Sequence, residues 1–260
     1  MRPRRPAERE VLVGIHPVRE ALRAGRRPLH RLRLRESGGR PPGPELVDIV
    51  ARARAAGVPA EEVPAVRFDR EAPRGMPHQG VLLEVGPLRC PSLPELVPAR
   101  DEPCWLLALD GVEDPQNLGA LLRVADAAGV HGALVPERHS APLSAAAARA
   151  SAGALEHLPV ARVTNLARAL NQLKSQGFWI HGGDPRAGQD LFEAPARLFD
   201  RRMVLVLGAE GRGLRPGVRD TIDVSFRIPM AGAVASLNVA TAAAVFLFEW
   251  RRRSRVPAAP

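Results

Sequence analysis

The sequence has no tyrosine, only 4% aromatic residues and two cysteines, Cys90 and Cys104. Two cysteines without a cluster of histidine or acidic partners make neither a disulfide framework nor a zinc site. Long apolar runs are also missing: the most apolar, such as residues 203–207 and 245–248, are far shorter than the roughly 20 residues of a membrane-spanning helix. The first arginines are not followed by the apolar core of a signal peptide. We therefore expect a globular, cytoplasmic protein with no metal and no membrane contact.

Lysine is nearly absent as well, because Lys174 is the only one among 37 basic residues. The net charge of +9 is uneven along the chain. Residues 1–100 carry 19 basic and 12 acidic side chains, whereas residues 101–250 carry 14 and 16. Such asymmetry predicts an anionic polymer as partner, and an arginine-rich solvated surface explains it equally well.

Prolines divide the chain most clearly at residues 87–103, which we interpret as a linker between two domains. Residues 1–86 predict a small α/β domain with helices at 16–24, ending at Gly25, and at 45–56, and with strands at 29–35 and 79–85. Because Arg31, Arg33 and Arg35 lie on one face of the first strand, we expect them to meet successive phosphates of the anionic partner. Residues 104–255 alternate apolar strands with helices, which is typical of a mostly parallel sheet covered by helices. The expected strands and helices of this second part are 104–109, 117–128, 132–135, 144–153, 158–163, 166–175, 178–181, 203–207, 222–228 and 236–252.

Three segments that follow predicted strands carry the candidate chemistry, since open α/β sheets bind ligands beyond the carboxyl ends of their strands. The first runs from Leu109 to Gly119 and leads to Arg123. Asn117 in this segment suits a helix N-cap, and Arg123 is a charged residue on an otherwise apolar helix, from which we expect it to point back toward the loop.

The second segment, residues 207–213, is a glycine-rich turn directly after the most apolar strand. Its glycines let the backbone approach a ligand, although an ordinary tight turn has the same composition. The third segment, residues 228–240, leaves a strand at Pro229 and enters an alanine-rich helix. We expect Ser236 to be the N-cap of that helix, with Asn238 in its first turn either serving a ligand or tying the loop together.

Together, in order and spacing, these segments resemble the three motifs of the SpoU (TrmH) family of RNA ribose 2'-O-methyltransferases in the SPOUT superfamily. The matching residues are Asn117, Leu118, Gly119 and Arg123; Gly208, Glu210 and Gly213; and residues 228–240. Residues 151–160 are also similar to the family. Residues 13–18 and 78–81 resemble the ribosomal-protein-like (L30e-like) substrate-binding domain of the bacterial enzymes that methylate a guanosine ribose in 23S rRNA.

The resemblance implies a Rossmann-like sheet whose C-terminal segment forms a trefoil knot, a homodimer, and S-adenosyl-L-methionine as cofactor. It implies cofactor contacts from Gly208, Ile228, Met230 and Leu237. It implies a reaction centre shaped by Arg123, Asn117, Glu210, Ser236 and Asn238. The apolar helix that ends near Trp250 supports the dimer, since its apolar residues cover more than one face.

The role of Arg123 follows from its chemistry, because a guanidinium with a pKa above about 12 is a poor base. We expect it to hold a phosphate of the target nucleotide and to stabilise the developing alkoxide. The leading hypothesis is methyl transfer to ribosomal RNA. The alternatives are the same reaction on tRNA and a non-catalytic ribosome-binding factor. We expect the scattered histidines to be non-catalytic. We expect Trp250 to be a core residue, with a dimer contact or a base-stacking platform as the alternatives. The arginines from Arg251 onward either contact RNA or are solvated.

Overall fold

The computed structural model describes residues 9–73, 75–98, 104–199, 202–209, 211–234 and 236–253. The chain divides into two compact units, and each is discontinuous in sequence. The first comprises Met1–Arg89 and Leu143–His157, and the second comprises Cys90–Pro142 and Leu158–Pro260. The expected boundary at residues 87–103 thus lies near the observed one, but residues 143–157, which we expected in the second domain, group with the first unit.

The first unit begins as a four-stranded sheet with three helices. Its elements are β1 (Glu10–Val13), α1 (Ile15–Ala24), β2 (Leu29–Arg35), α2 (Pro44–Ala55), β3 (Ala60–Val63), α3 (Ala65–Glu71) and β4 (Val81–Val85). The strand order is β1-β4-β2-β3, in which β4 is antiparallel to both neighbours and β2 is parallel to β3. α1 ends as its sequence predicts, since Gly25 adopts the left-handed conformation with φ of 59°.

The second unit is a seven-stranded, entirely parallel sheet with helices. Its elements as far as the inserted segment are α4 (Leu93–Leu96), β5 (Trp105–Asp110), α5 (Pro115–Ala127) and β6 (Gly132–Pro136). The inserted segment contains α6 (Ala145–Ala150). The chain then continues with β7 (Val160–Val163), α7 (Leu166–Ser175), β8 (Trp179–Gly183), β9 (Gln189–Asp190), β10 (Met203–Gly208), α8 (Pro216–Arg219), β11 (Val224–Arg227) and α9 (Val239–Arg253). The strand order is β7-β6-β5-β10-β8-β11-β9. This confirms the expected α/β fold with a mostly parallel sheet.

The expected linker contains one ordered element, the short helix α4. Ser92 caps it, and Glu95 completes a reciprocal capping box by binding the Ser92 backbone N–H at 2.8 Å. Leu93 and Leu96 are buried in the core of the second unit, beside Leu134 and Leu170. The proline-rich segment therefore contains a short helix that is stabilised by packing. Residues 99–103 lie outside the described part of the chain.

The second unit has an aromatic cluster beside its aliphatic core. The indole of Trp250 packs edge-on against Trp105, with ring centroids 6.0 Å apart, and against His181 at 5.1 Å. Phe226 lies 5.2 Å from the same imidazole. Trp250 is fully buried in its own chain. This confirms the core assignment of Trp250 and excludes a base-stacking role.

The inserted segment 143–157 is fixed to the first unit by a buried ion pair. Arg27 Nη2 lies 2.9 Å from Glu156 Oε1, and both side chains are fully buried. Burial raises the pKa of the Glu156 carboxyl. Gly153 faces Glu20 so closely that a Cβ on residue 153 would lie 2.6 Å from the Glu20 Cβ. The segment is therefore part of the packed body of this unit.

Candidate active site

A cavity of about 810 Å³ opens at the carboxyl ends of β8, β10 and β11. Its apolar lining comes from side chains such as Phe226, Ile228, Met230, Leu237 and Phe246. Its charged lining, within the described residues, comes from Asp184, Arg186 and Arg212. The strands end at this edge because the sheet is parallel, so loops distant in sequence meet there. A largely apolar cavity of this size with a few polar groups is typical of a small-molecule site.

Gly208 ends β10 at the wall of this cavity. A Cβ on residue 208 would lie 2.6 Å from the Leu214 backbone nitrogen and closer still to the Gly213 carbonyl group. The turn doubles back tightly, because Gly213 N donates to Ala209 O at 2.9 Å and both Gly211 and Gly213 have positive φ. The chain's own backbone requires glycine at 208, which is the tight-turn alternative of the two explanations that the sequence allows.

Asp110, the last residue of β5, anchors the far side of this turn. Its buried carboxylate accepts hydrogen bonds from Arg215 N at 2.8 Å and from Arg215 Nε at 2.6 Å. The neighbouring backbone is also joined, since Ala209 N donates to Asp110 O at 3.0 Å. The Arg215 bonds to the buried carboxylate fix one end of the 208–215 segment, and the Ala209 bond fixes the other. Asp110 was not among the predicted site residues, although a lone acid at the end of a strand of apolar residues is a visible signal.

Two asparagines connect the N-termini of α5 and α9. Asn238 Oδ1 accepts from Ala240 N at 2.9 Å, so Asn238 is the N-cap of α9. Asn238 Nδ2 donates to Asn117 Oδ1 at 3.0 Å. Because the cap fixes the Asn238 amide, this bond also fixes which way the Asn117 amide points. The tie expected of Asn238 as one of two roles is observed.

Both expected helix starts need correction. The N-cap of α5 is Asp114, whose carboxylate accepts from Gln116 N at 3.0 Å, and Asn117 lies within the first turn. Ser236 was expected to cap the last helix, but the N-cap is Asn238, two residues later, and α9 begins at Val239. Each helix start contains two residues of capping type within three positions. The hydrogen bonds to the backbone N–H groups identify which of the two is the cap.

The structure brings most of the expected site residues to one place. The cavity lining contains Gly208, Ile228, Met230, Ser236, Leu237 and Asn238, and Asn117 adjoins it through Asn238. Arg123 is exposed on α5 and is not among the described lining residues. It follows Asn117 by six residues on the same helix, and its expected orientation toward the loop stays a prediction. Glu210 lies outside the described residues.

An acidic residue at the cavity, Asp184, was also not among the predicted site residues. It directly follows β8, and its backbone N–H donates to Phe226 O at 3.0 Å. Burial disfavours the charged carboxylate, but hydrogen bonds from the Arg186 backbone and side chain outweigh it and lower the pKa of Asp184. The signal in the sequence is the Gly182-Gly183-Asp184 run, in which two glycines end β8 and the acid directly follows it.

His181 is the strongly perturbed histidine of the second unit. Burial among aromatic rings lowers its pKa to about 4, because the charged imidazolium is poorly solvated there. His181 is absent from the described cavity lining. It is a neutral core residue, in agreement with the expectation that the histidines are not catalytic. Among the described residues, no group of three or more histidine, cysteine or acidic side chains could hold a metal ion.

The basic row on β2 of the first unit is neutralised by carboxylates. Arg33 lies 2.5 Å from Glu84, 3.2 Å from Glu71 and 3.3 Å from Glu61. Arg35 makes two hydrogen bonds to Asp69, at 2.9 and 3.0 Å. We expected Arg31, Arg33 and Arg35 to form a row of phosphate contacts. Their pairing makes the row a cross-strand ion network that holds the sheet to α3.

A parallel α/β sheet with a ligand cavity at its carboxyl edge, closed by two loops that enter helices, defines a nucleotide- or cofactor-binding enzyme class. Comparison with known proteins identifies the family. Residues 105–248 match the SpoU rRNA Methylase family, and residues 11–91 match the RNA 2'-O ribose methyltransferase substrate-binding family. The chain therefore belongs to the SpoU family of RNA 2'-O-methyltransferases.

Individual relatives cover nearly the whole chain. The 23S rRNA (guanosine-2'-O-)-methyltransferase RlmB of Ralstonia nicotianae is 42% identical over 255 residues, covering 96% of this chain and 98% of that protein. A Staphylococcus aureus protein named for the TrmH family of tRNA/rRNA methyltransferases is 37% identical, with the same coverage. The crystal structure of the SpoU methyltransferase AviRb of Streptomyces viridochromogenes, in complex with AdoMet, matches with a TM-score of 0.75 and 25% identity, covering 94% of this chain and 90% of that chain.

None of the helices in the described part of the chain is both long and apolar enough to cross a membrane.

Proposed function

We propose that this protein transfers a methyl group from S-adenosyl-L-methionine to a guanosine ribose 2'-hydroxyl in 23S rRNA. The observation that carries the proposal is the single cavity that both the 208–214 turn and the 228–238 loop line. These are two of the three segments by which the sequence resembles the family. The 42% identity to a 23S rRNA guanosine methyltransferase supports this substrate, and the relative named for tRNA and rRNA keeps tRNA as the second candidate.

The cavity fits an adenosine cofactor. Its volume lies within the roughly 300–1,000 Å³ of ligand pockets, and its apolar side chains suit an aromatic base. Gly208, Ile228, Met230 and Leu237 would hold the cofactor at the edge of the sheet. When bound, S-adenosylmethionine supplies a methyl group on a positively charged sulfur.

The chain's own residues prepare the acceptor hydroxyl. Because Asn238 caps α9 and fixes the Asn117 amide, the two asparagines form a rigid polar wall beside Ser236. Arg123, exposed and permanently charged, would bind a phosphate of the RNA and stabilise the oxyanion that forms as the hydroxyl loses its proton. The phosphate or water takes that proton, since a guanidinium is a poor base. Glu210 completes this proposed reaction centre.

The first unit selects the RNA. Its residues 11–91 match a substrate-binding family, and we assign it an L30e-like fold. Since the arginines of β2 are paired with carboxylates, the phosphate contacts fall to exposed arginines elsewhere, such as Arg54 and Arg70. The substrate-reading domain, proposed at residues 1–86, then includes the inserted segment 143–157, and the catalytic domain occupies the rest of 104–255.

The chain topology and assembly complete the proposal. We assign a trefoil knot to the C-terminal segment of the second unit, and the match of residues 105–248 to the SpoU family supports it. We also assign a homodimer through α9, since Phe248 is half exposed on a helix whose Phe246 and Leu247 are buried. Light scattering should give twice 28.0 kDa, and a monomer at all concentrations would contradict the dimer.

The experiment is methyl transfer from labelled S-adenosylmethionine to unmodified 23S rRNA fragments and to tRNA. The expected result is label on one guanosine ribose of 23S rRNA, located by primer extension at low nucleotide concentration. Label on tRNA alone would replace the substrate with the second candidate. No label on either RNA, with a folded protein, would overturn the proposed function.

A further inference from the structure

The rim of the cavity holds a built turn whose carboxylate has no assigned role. Asp184 Oδ1 accepts from Arg186 N at 2.9 Å and from Arg186 Nε at 3.3 Å. The Asp184 side chain is only 20% exposed, and both residues line the cavity. Within the described residues, no hydrogen bond is made to the other oxygen, Oδ2. One oxygen therefore holds the turn, and one is available at the cavity.

The position of this turn in the sheet is informative. β8 and β10 are adjacent and parallel, and Gly183 is in register with Leu207. Asp184 therefore leaves the sheet beside the Gly208 turn. In parallel α/β sheets that bind nucleotides, a carboxylate on the strand next to the glycine-rich turn commonly accepts hydrogen bonds from ribose hydroxyls. The apolar side chains of Phe226 and Met230 line the same cavity and suit the base attached to such a ribose.

We propose that Asp184, through Oδ2, binds the ribose hydroxyls of the adenosine cofactor and thereby determines specificity for a ribonucleoside. The assignment rests on the proposed function for the identity of the cofactor. Neutral hydroxyl donors suit this carboxylate, because the Arg186 guanidinium 3.3 Å away already balances its charge. A cationic partner, such as the ammonium group of the cofactor's amino-acid end, would compete with Arg186 for the same charge.

The test is calorimetric binding of S-adenosylhomocysteine and of 5'-methylthioadenosine, which keeps the ribose and lacks the amino-acid end. Each is compared with its 2'-deoxy and 3'-deoxy forms. Asp184→Asn keeps an oxygen for the Arg186 N–H but loses the charge of the hydroxyl acceptor. We expect it to weaken both ribose ligands by about tenfold or more, since hydrogen bonds to charged groups are the stronger ones. It should hardly affect a deoxy form that lacks the bonded hydroxyl.

The matched control is Asp190→Asn. Asp190 Oδ1 accepts from Phe192 N at 2.8 Å, the same type of turn, and Asp190 is not among the described cavity residues. It should leave every affinity unchanged. Asp184→Ala should match or exceed the loss of Asp184→Asn, and tryptophan fluorescence melting verifies that each variant is folded.

Three results would overturn the assignment. Equal affinity of wild type and Asp184→Asn for all ligands would show that the carboxylate is not used. Loss confined to S-adenosylhomocysteine would place the ammonium group at Asp184. Failure of wild type itself to bind S-adenosylmethionine or S-adenosylhomocysteine would overturn the proposed function, and the specificity role with it, so the two failures are distinguishable.

Discussion

Asn238 is both the N-cap of α9 and a hydrogen-bond donor to Asn117, and two substitutions distinguish these roles. Its Oδ1 caps α9 by accepting from Ala240 N, while its Nδ2 donates to Asn117 Oδ1. Asn238→Ala removes both interactions. Asn238→Asp keeps an acceptor for the cap but has no donor for Asn117. The Asp variant therefore tests the asparagine pair while the helix start stays intact.

The expected magnitudes follow from these contacts. Loss of a good N-cap costs about 1 kcal/mol. Loss of the bond to Asn117 costs about 1 kcal/mol more, so Asn238→Ala should lower the free energy of unfolding by about 2 kcal/mol. In Asn238→Asp the negative charge at the start of α9 returns up to about 1 kcal/mol. That variant should be close to wild type in stability.

The near-normal stability expected of Asn238→Asp should not be accompanied by normal activity. A carboxylate at position 238 favours a rotated Asn117 amide, with its Nδ2 toward the new acceptor and its Oδ1 turned away. We expect Asn238→Asp to lose most methyl transfer despite its near-normal stability. Asn165→Asp is the matched control, because Asn165 caps α7 through Arg168 N at 3.0 Å and is absent from the described cavity lining.

The assay is urea unfolding followed by tryptophan fluorescence, together with transfer of a labelled methyl group to 23S rRNA. Trp105, Trp179 and Trp250 are the only tryptophans, and the sequence has no tyrosine. All three lie in the second unit, so the fluorescence reports the unfolding of that unit alone. Normal turnover by Asn238→Asp would refute the idea that the amide orientation of Asn117 matters. An unchanged unfolding midpoint for Asn238→Ala would refute the cap.

Four other changes have definite expected outcomes. Arg123→Ala should retain its cofactor affinity in calorimetry and lose methyl transfer. Arg123→Lys should also have low methyl-transfer activity, since a point charge lacks the guanidinium fork. Near-normal turnover of either variant would refute the role of Arg123. Gly208→Val should lose both cofactor binding and stability, because the added atoms collide with the backbone of residues 213–214. A stable variant with full cofactor affinity would contradict this close approach. His181 stays neutral in the folded protein and becomes protonated when the chain unfolds, so the free energy of unfolding decreases as the pH falls below about 6.5. Between pH 7 and pH 4 this free energy should decrease by about 3 kcal/mol more in the wild type than in His181→Phe. Parallel pH profiles of the two proteins would disprove this. Replacing both Arg54 and Arg70 by Ala should flatten the salt dependence of rRNA binding by about 0.7–0.9 per lost phosphate contact, and an unchanged slope would move the RNA-binding face elsewhere.

Local pattern was sufficient for the long elements. β2 spans Leu29–Arg35 and α7 spans Leu166–Ser175, as predicted, because their periodicities are sustained and their ends carry clear stop signals. β1 and β3 were missed, since each has four residues, and β3 is an edge strand rich in glutamate. Such strands are set by pairing partners far along the chain.

The second and third segments contain most of the residues that line the cavity. The structural reasons for these residues are long-range and could not be predicted from the sequence. The bond from Asn238 to Asn117 spans 121 positions, and the bond from Arg215 to Asp110 spans 105. The requirement for glycine at position 208 also comes from the folded structure, since a side chain there would collide with the backbone of residue 213. No window of local sequence contains these partners.

The discontinuity of the first unit sets an order on how the chain matures during synthesis. Arg27 emerges early, but the carboxylate that pairs with it belongs to Glu156, about 130 residues later. Nascent domains usually fold in chain order, with each one finished before the next begins. Here the first unit stays incomplete until residue 157 has been added, by which point β5, α5 and β6 of the second unit already exist. The first unit is therefore completed only after β5 and β6, two of the seven strands of the second unit, have been synthesised.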